Sequence, residues 1–364
     1  AGPARGVDTK LYVGTFTLPA PYLASAKGEG IHVFDFDPAA GTLSAAQVVG
    51  GIDSPAFLCP SPGGRYLYAA SEVPGRMEGV VVAYAISATD GTLGLLGSQG
   101  MRGAWASHLS MDSAGRVLLL SDYADGRVGL MPVLDDGRLG GVASAHQHAG
   151  SGPNVARQDG PHAHCLVAPP DERFAFAADL GADRVFGYRL DLDDFELVPH
   201  SELALRSGSG PRHLAFAPDG RHAYLVCELD STVVALAYDA EAGELAILGI
   251  YSLLPTGFDG QSDGADVHIH PSGRFLYASN RGHDSVAVFG IGPDGRLALL
   301  GHSSSEGRTP RNVVISPDGR FLLVGNQDSD TIVTMPIDPD TGLLGPTVSV
   351  VETPTPACLV FAPA

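Results

Sequence analysis

Six short apolar runs punctuate the chain: YLYAAS from Tyr66, VLLLSD from Val117, FAFAAD from Phe174, HAYLVC from His222, FLYASN from Phe275 and FLLVGN from Phe321. Each follows a polar turn that closes on arginine, at Arg65, Arg116, Arg173, Arg221, Arg274 and Arg320, with spacings of 51, 57, 48, 53 and 46 residues. A second apolar run, such as HLAFA before Pro218, precedes each turn. Apolar strand, Asp-Gly type turn, apolar strand predicts a β-hairpin in every unit. Later in each unit a Gly or Asp stands shortly before a leucine, at Leu43, Leu93, Leu139, Leu197, Leu245, Leu297 and Leu344.

Six complete turns against seven leucine markers point to a unit split between the chain ends. TPACLVFAP (Thr355 to Pro363) matches SPAFLCPSP (Ser54 to Pro62), and LYVGT (Leu11 to Thr15) matches LYAAS (Leu67 to Ser71). The last residues therefore supply the first strand of a unit whose other strands start the chain. Units of about 50 residues have the size of a four-stranded propeller blade. The expected fold is all-β: one domain over residues 1–364, a seven-bladed β-propeller of four-stranded blades. Pairing of the C-terminal strand with N-terminal strands in one blade closes the ring and protects its edges. Residues 1–9 are expected to be a flexible N-terminal segment.

Composition supports this reading and narrows the function. Gly 47 and Pro 27 among 364 residues argue against a helical bundle. Lys+Arg 22 against Asp+Glu 41 gives a net charge of −19, which repels phosphate backbones and excludes nucleic acid as a partner. Only Lys10 and Lys27 are lysines, so an anion site must use Arg and His. No apolar run is long enough for a transmembrane helix, and AGPARGVDTK lacks a signal core, so no membrane association and a cytoplasmic location, or a leader already removed, are expected. The four cysteines are widely spaced and read as core residues of a reducing compartment.

Aligning the units on the turn arginine exposes departures from the repeat. Nine residues before it stand Ala56, Ser107, His164, Arg212, Ala265, Arg311 and Ala357; the next position includes His213. Seven residues after it stand Glu72, Tyr123, Leu180, Glu228, Arg281 and Gln327, with Phe16 in the split unit. Both positions fall at one rim of the ring, because paired strands run antiparallel. Forked arginines recognise carboxylate or phosphate, and Glu and His offer general acid and base chemistry. A small anionic substrate undergoing proton transfer or attack by water is implied. His162 and His268 lie close to this set in sequence. The pairs His162/His164 and His268/His270 could ligate a cation, but His270 precedes a turn at the far end of its strand, and carboxylates are scarce; no metal or other cofactor is expected.

The chain resembles the bacterial 6-phosphogluconolactonase / carboxy-cis,cis-muconate lactonizing enzyme family of seven-bladed propellers. The resemblance rests on LYVGTFT (Leu11 to Thr17), RQDGPHAHC (Arg157 to Cys165), GPRHLAFAPDGRHAYLVCELDSTV (Gly210 to Val233), ADVHIHPSGRFLYASNRGHDSVAVF (Ala265 to Phe289) and TPRNVVISPDGRFLLVGNQDSDTI (Thr309 to Ile332). It implies His164, Arg212, Glu228 and Arg281 as catalytic residues. His162, His213, His268, Arg311, Glu72 and Gln327 are expected to bind substrate. The leading expectation is a metal-independent lactonase acting on 6-phosphoglucono-1,5-lactone, with Glu228 or His164 as base. A cycloisomerase of a carboxylated muconate, a non-catalytic binding propeller and a metal-dependent lactonase are the rivals. The partner is then a small lactone, and the protein a monomer or weak homo-oligomer. The segment Leu253 to Asp266 is expected to form a loop capping the site.

Overall fold

The computed structural model describes residues 9–363 and places 28 strands in seven four-stranded antiparallel sheets. The expected flexible stretch 1–8 lies outside the described residues; Thr9, grouped with it, instead opens the strand Thr9–Thr15. In the closing blade Pro356–Phe361 pairs with Thr9–Thr15, followed by Ile31–Asp37 and Thr42–Val49, as the split repeat requires. The innermost strands are those before the turns, and they touch one another around a closed ring.

Burial explains the residue pattern. The strand after each turn is sandwiched between neighbouring blades, so Val117–Asp122, Phe174–Asp179 and Phe321–Asn326 are buried at every position. The outermost strands alternate or face water, as Thr42–Val49 does. Blades are latched by a repeated bond. The buried hydroxyls of Tyr12, Tyr68, Tyr224 and Tyr277 donate to the carbonyls of Gly91, Gly137, Gly295 and Gly342, each in an outer turn of the next blade. The turn arginines join in: Arg173, Arg274 and Arg320 donate to Ala240, Pro339 and Pro38 carbonyls while lying over the following Phe ring. These recurring arginines are architectural.

The innermost strands carry a second repeated device, a β-bulge. The register of all seven blades skips, between Pro55 and Phe57, Ala106 and His108, Ala163 and Cys165, Pro211 and His213, Gly264 and Val267, Pro310 and Asn312, and Pro356 and Cys358. A bulge re-aims the extra side chain. In three blades that residue is His164, Arg212 or Arg311.

Asp122, immediately before Tyr123, departs from the repeat in a different way. It is fully buried with Oδ1 unpartnered, and burial, then Asp125, push its carboxyl up to about 8. Two other blades carry Asn280 and Asn326 at this position, and both donate Nδ2 to a backbone carbonyl at 2.9 Å. Folding therefore binds a proton at Asp122 that the unfolded chain releases, and stability falls as pH rises from about 4 towards 8. Asp122→Asn should add about 1–3 kcal/mol at pH 8 and little at pH 5. Thermal unfolding at the two pH values checks this; an equal gain at both would point to a cause other than the buried proton.

Candidate active site

A cavity of about 740 Å³ opens at the rim where the bulged residues and the ends of the second strands meet. Its wall includes Ser107, His164 and Arg311 from the bulges and Glu72, Tyr123, Glu228 and Arg281 from the strand ends. Residues from six blades thus converge, which is the geometric outcome the repeat alignment predicts. The size suits a single sugar-sized ligand.

Glu228 is the electrostatic centre. Its Oε2 accepts from Arg212 Nε at 3.1 Å and faces Arg281 Nη2 at 2.8 Å, while Oε1 accepts from Arg157 Nη2. Burial alone would raise its pKa, but the guanidinia of Arg281, Arg157 and Arg212 hold it well below the usual carboxylate range. Arg212 lies beneath the pocket at 2% exposure and also donates to the Ala265 carbonyl. Burial, followed by the charges of Arg281 and Arg311, lowers it to about 9. Its place is under Glu228, outside the cavity wall.

His164 is buried, and its Nδ1 has no hydrogen-bond partner. Burial, then Arg212 and His213, push its pKa well below the ordinary imidazole value, so the ring is neutral at pH 7. The edge of Tyr123 packs against it at 5.4 Å. Arg311 is the least committed guanidinium: its closest carboxylate, Glu72, is 4.0 Å away and the Gln327 amide oxygen 3.4 Å. The rings of Phe16 and Tyr22 support it from 4.9 and 5.6 Å.

Three expected substrate-binding residues are placed elsewhere. His213 and His268 do not line the cavity; they hydrogen-bond Asp266 at 2.8 and 3.1 Å. Asp266 also accepts from the Asn312 amide and the Val313 backbone, and despite burial it stays ionised because His268 and His213 face it. His213 packs at steep angles against His108 and Phe57, which come from two other blades. The strand alternation that sends His164 to the rim sends its +1 neighbours inward. Gln327 likewise stays off the wall, where it bonds Arg311 and Asp328. His162 and Glu72 do line the cavity.

The structure adds Tyr22, Trp105, Tyr123 and Arg157, which sequence reasoning did not nominate. Tyr123 stood at an aligned rim position, but an uncharged ring did not mark it. Arg157 and Tyr22 lie on insertions that the repeat cannot align. Of the segment expected to cap the site, Gln261 to Asp263 reach the wall, and the inner strand already begins at Asp263.

The family described as "Lactonase, 7-bladed beta-propeller" matches residues 10–361. The chain belongs to this lactonase family. A 6-phosphogluconolactonase of Bacillus subtilis is 34% identical over 351 residues, covering 96% of this chain and 97% of that protein. Another, from Formosa agariphila, is 35% identical over 308 residues, covering 83% and 85%. The solved structure of the periplasmic gluconolactonase of Pseudomonas aeruginosa superposes with a TM-score of 0.89 at 33% identity, covering 98% of this chain and 99% of that one. Among the described residues of this lactonase-family chain, no three His, Cys, Asp or Glu side chains are grouped to hold a metal ion. Nor is any helix long and apolar enough to cross a membrane.

Proposed function

We propose that the protein hydrolyses a sugar lactone, with 6-phosphoglucono-1,5-lactone as the leading substrate, through His164, Glu228, Arg212 and Arg281. The observation that carries this reading is the pairing of an ionised Glu228, held by three arginines, with a neutral His164 on the cavity wall. Both oxygens of Glu228 are paired with guanidinia, whereas His164 has no carboxylate or guanidinium bonded to its ring and lines the cavity. His164 is therefore the base. It takes a proton from water as the water oxygen adds to the lactone carbonyl carbon. The tetrahedral oxyanion is met by the guanidinia of Arg281 and Arg157 on the cavity wall. Collapse breaks the ring C–O bond. The ring oxygen leaves with the proton held on His164, and the product is the open-chain acid. Glu228 stabilises the transient imidazolium through its charge. A ring that is neutral at rest suits a base, and thus hydrolysis, better than it suits the proton donor that lactone formation from a muconate would need.

Arg311 is the group for the substrate's anion, since it has no close carboxylate of its own. Hydrolysis of 6-phosphoglucono-1,5-lactone above the spontaneous rate, unchanged by a chelator, is the expected result. No turnover of any sugar lactone would reject the function, and chelator-sensitive turnover would reassign it to a metal. Arg311→Gln should lower kcat/KM about tenfold to a hundredfold for the phosphorylated lactone and less than about threefold for glucono-1,5-lactone. Equal losses on both would remove Arg311 from phosphate recognition. All four cysteines are free and buried, which supports residence in a reducing compartment such as the cytoplasm.

A further inference from the structure

One wall of the cavity is aromatic, and nothing in the proposed chemistry uses it. Trp105 and Tyr123 lie nearly parallel, with centroids 6.0 Å apart and planes 10° apart. Tyr123 and His162 continue the stack at 4.6 Å and 11°. Tyr22 packs obliquely on Trp105 at 6.2 Å. All four rings line the cavity, and none is fully buried. The array runs from Arg311, which lies over Tyr22, to His164, which receives the edge of Tyr123. Its far side is tied to the charged centre, because Arg157 Nη2 donates to the Tyr123 hydroxyl at 3.3 Å as well as to Glu228.

The fold does not demand an indole here. Trp105 occupies a left-handed backbone position eleven residues before the turn arginine, with φ 62°. The same position in other blades holds Ser54, Gly210, Thr309 and Thr355, also left-handed. His162 and Asp263 hold it in the remaining two without left-handed backbone, so Trp105 is the one bulky residue kept at a left-handed position, and its ring lines the cavity. Left-handed backbone disfavours a bulky residue, so the exception calls for a reason in function.

We propose that Trp105, backed by the stacked rings of Tyr123 and His162, is a platform that takes the C–H face of a saturated, six-membered, polyhydroxylated lactone ring and sets its KM. The faces of aromatic rings are electron-rich, and the axial hydrogens of such a ring are weakly positive and apolar. Contact with the platform leaves the ring's hydroxyl edge towards the polar wall and brings its carbonyl against His164. A flat, open-chain dicarboxylate offers no such hydrogen-bearing face. This inference rests on the sugar-lactone reading and specifies how the ring is selected.

Because Trp105 is the only tryptophan, its emission reports ligand on the platform directly. The full-length protein is titrated with D-glucono-1,5-lactam, a ring that resists hydrolysis, and in parallel with cis,cis-muconate. The lactam should change Trp105 emission to saturation, and the muconate should not. In steady-state kinetics Trp105→Ala should raise KM about tenfold or more while kcat stays within about threefold, and Trp105→Phe should return KM to within about threefold of wild type. Tyr123→Leu carries the same kinetic test should Trp105→Ala fail to fold. Wild-type KM in Trp105→Ala and Tyr123→Leu, or emission unmoved by saturating lactam, would overturn the platform. If the lactam moves the emission but no lactone is opened, the platform stands and the hydrolase reading falls.

Discussion

His164→Gln should lower kcat on the sugar lactone by about a thousandfold and leave the melting temperature within a degree or two of wild type. The first half follows from the role of a positioned base, whose removal typically costs a factor of about 10²–10⁴. The second follows from the absence of any hydrogen-bond partner for Nδ1, so the change breaks no bond there. The pH profile gives an independent check. Burial, Arg212 and His213 hold the His164 pKa well below the ordinary imidazole value of 6.5, so the base is unprotonated at neutral pH. The acid limb of kcat/KM should therefore lie well below pH 6.5, with activity flat above it. A limb centred at 6.5 would identify a solvated histidine as the base and remove His164 from that role. Full activity in His164→Gln would transfer the role to Glu228.

The architecture was legible because it is written in turns. Six Asp-Gly type hairpins and a pair of matching half-units at the two ends specify both the number of blades and how the ring closes. Glu72, His164, Glu228, Arg281 and Arg311 were legible for a related reason: ionisable groups interrupt positions that the repeat otherwise fills with small or apolar residues. Depth was not legible. Arg212 and His164 occupy equivalent bulges, yet Arg212 folds under Glu228 because its long guanidinium finds the Ala265 carbonyl and the carboxylate together. His213 and His268 carry the same chemical promise as His164, but Asp266 claims both inside the channel. Trp105 was hidden by its surroundings, since where this position is left-handed in other blades its occupants are Ser, Thr and Gly. Arg157 belongs to a blade-specific insertion, and only the folded ring shows that it reaches Glu228 from 71 residues away in sequence.

Glu228→Gln should cost about 3–5 kcal/mol of stability and at least a hundredfold in kcat/KM, although it changes a single oxygen into nitrogen. The carboxylate faces Arg157, Arg212 and Arg281, and the last two are almost or mostly buried. Removing its charge leaves like charges confronting one another in a site of low dielectric, where the penalty for an uncompensated ion exceeds the net value of the pair. Arg212 is the most exposed to this effect in energetic terms, because burial and the neighbouring arginines already lower its pKa to about 9. The double variant Glu228→Gln with Arg212→Met should therefore recover a large part of the lost stability and none of the activity. Denaturant unfolding of the four proteins in this cycle measures the coupling. The pH dependence has a definite sign. The folded pKa of Glu228 is depressed well below 4.5, so its contribution is complete above that value and disappears as pH falls through the folded pKa. The stability gap between wild type and Glu228→Gln should be widest above pH 4.5 and close under acid. A single variant as stable as wild type at neutral pH, or additive losses in the cycle, would mean that the three arginines do not depend on Glu228. The oxyanion pocket built around it would then lose its physical basis.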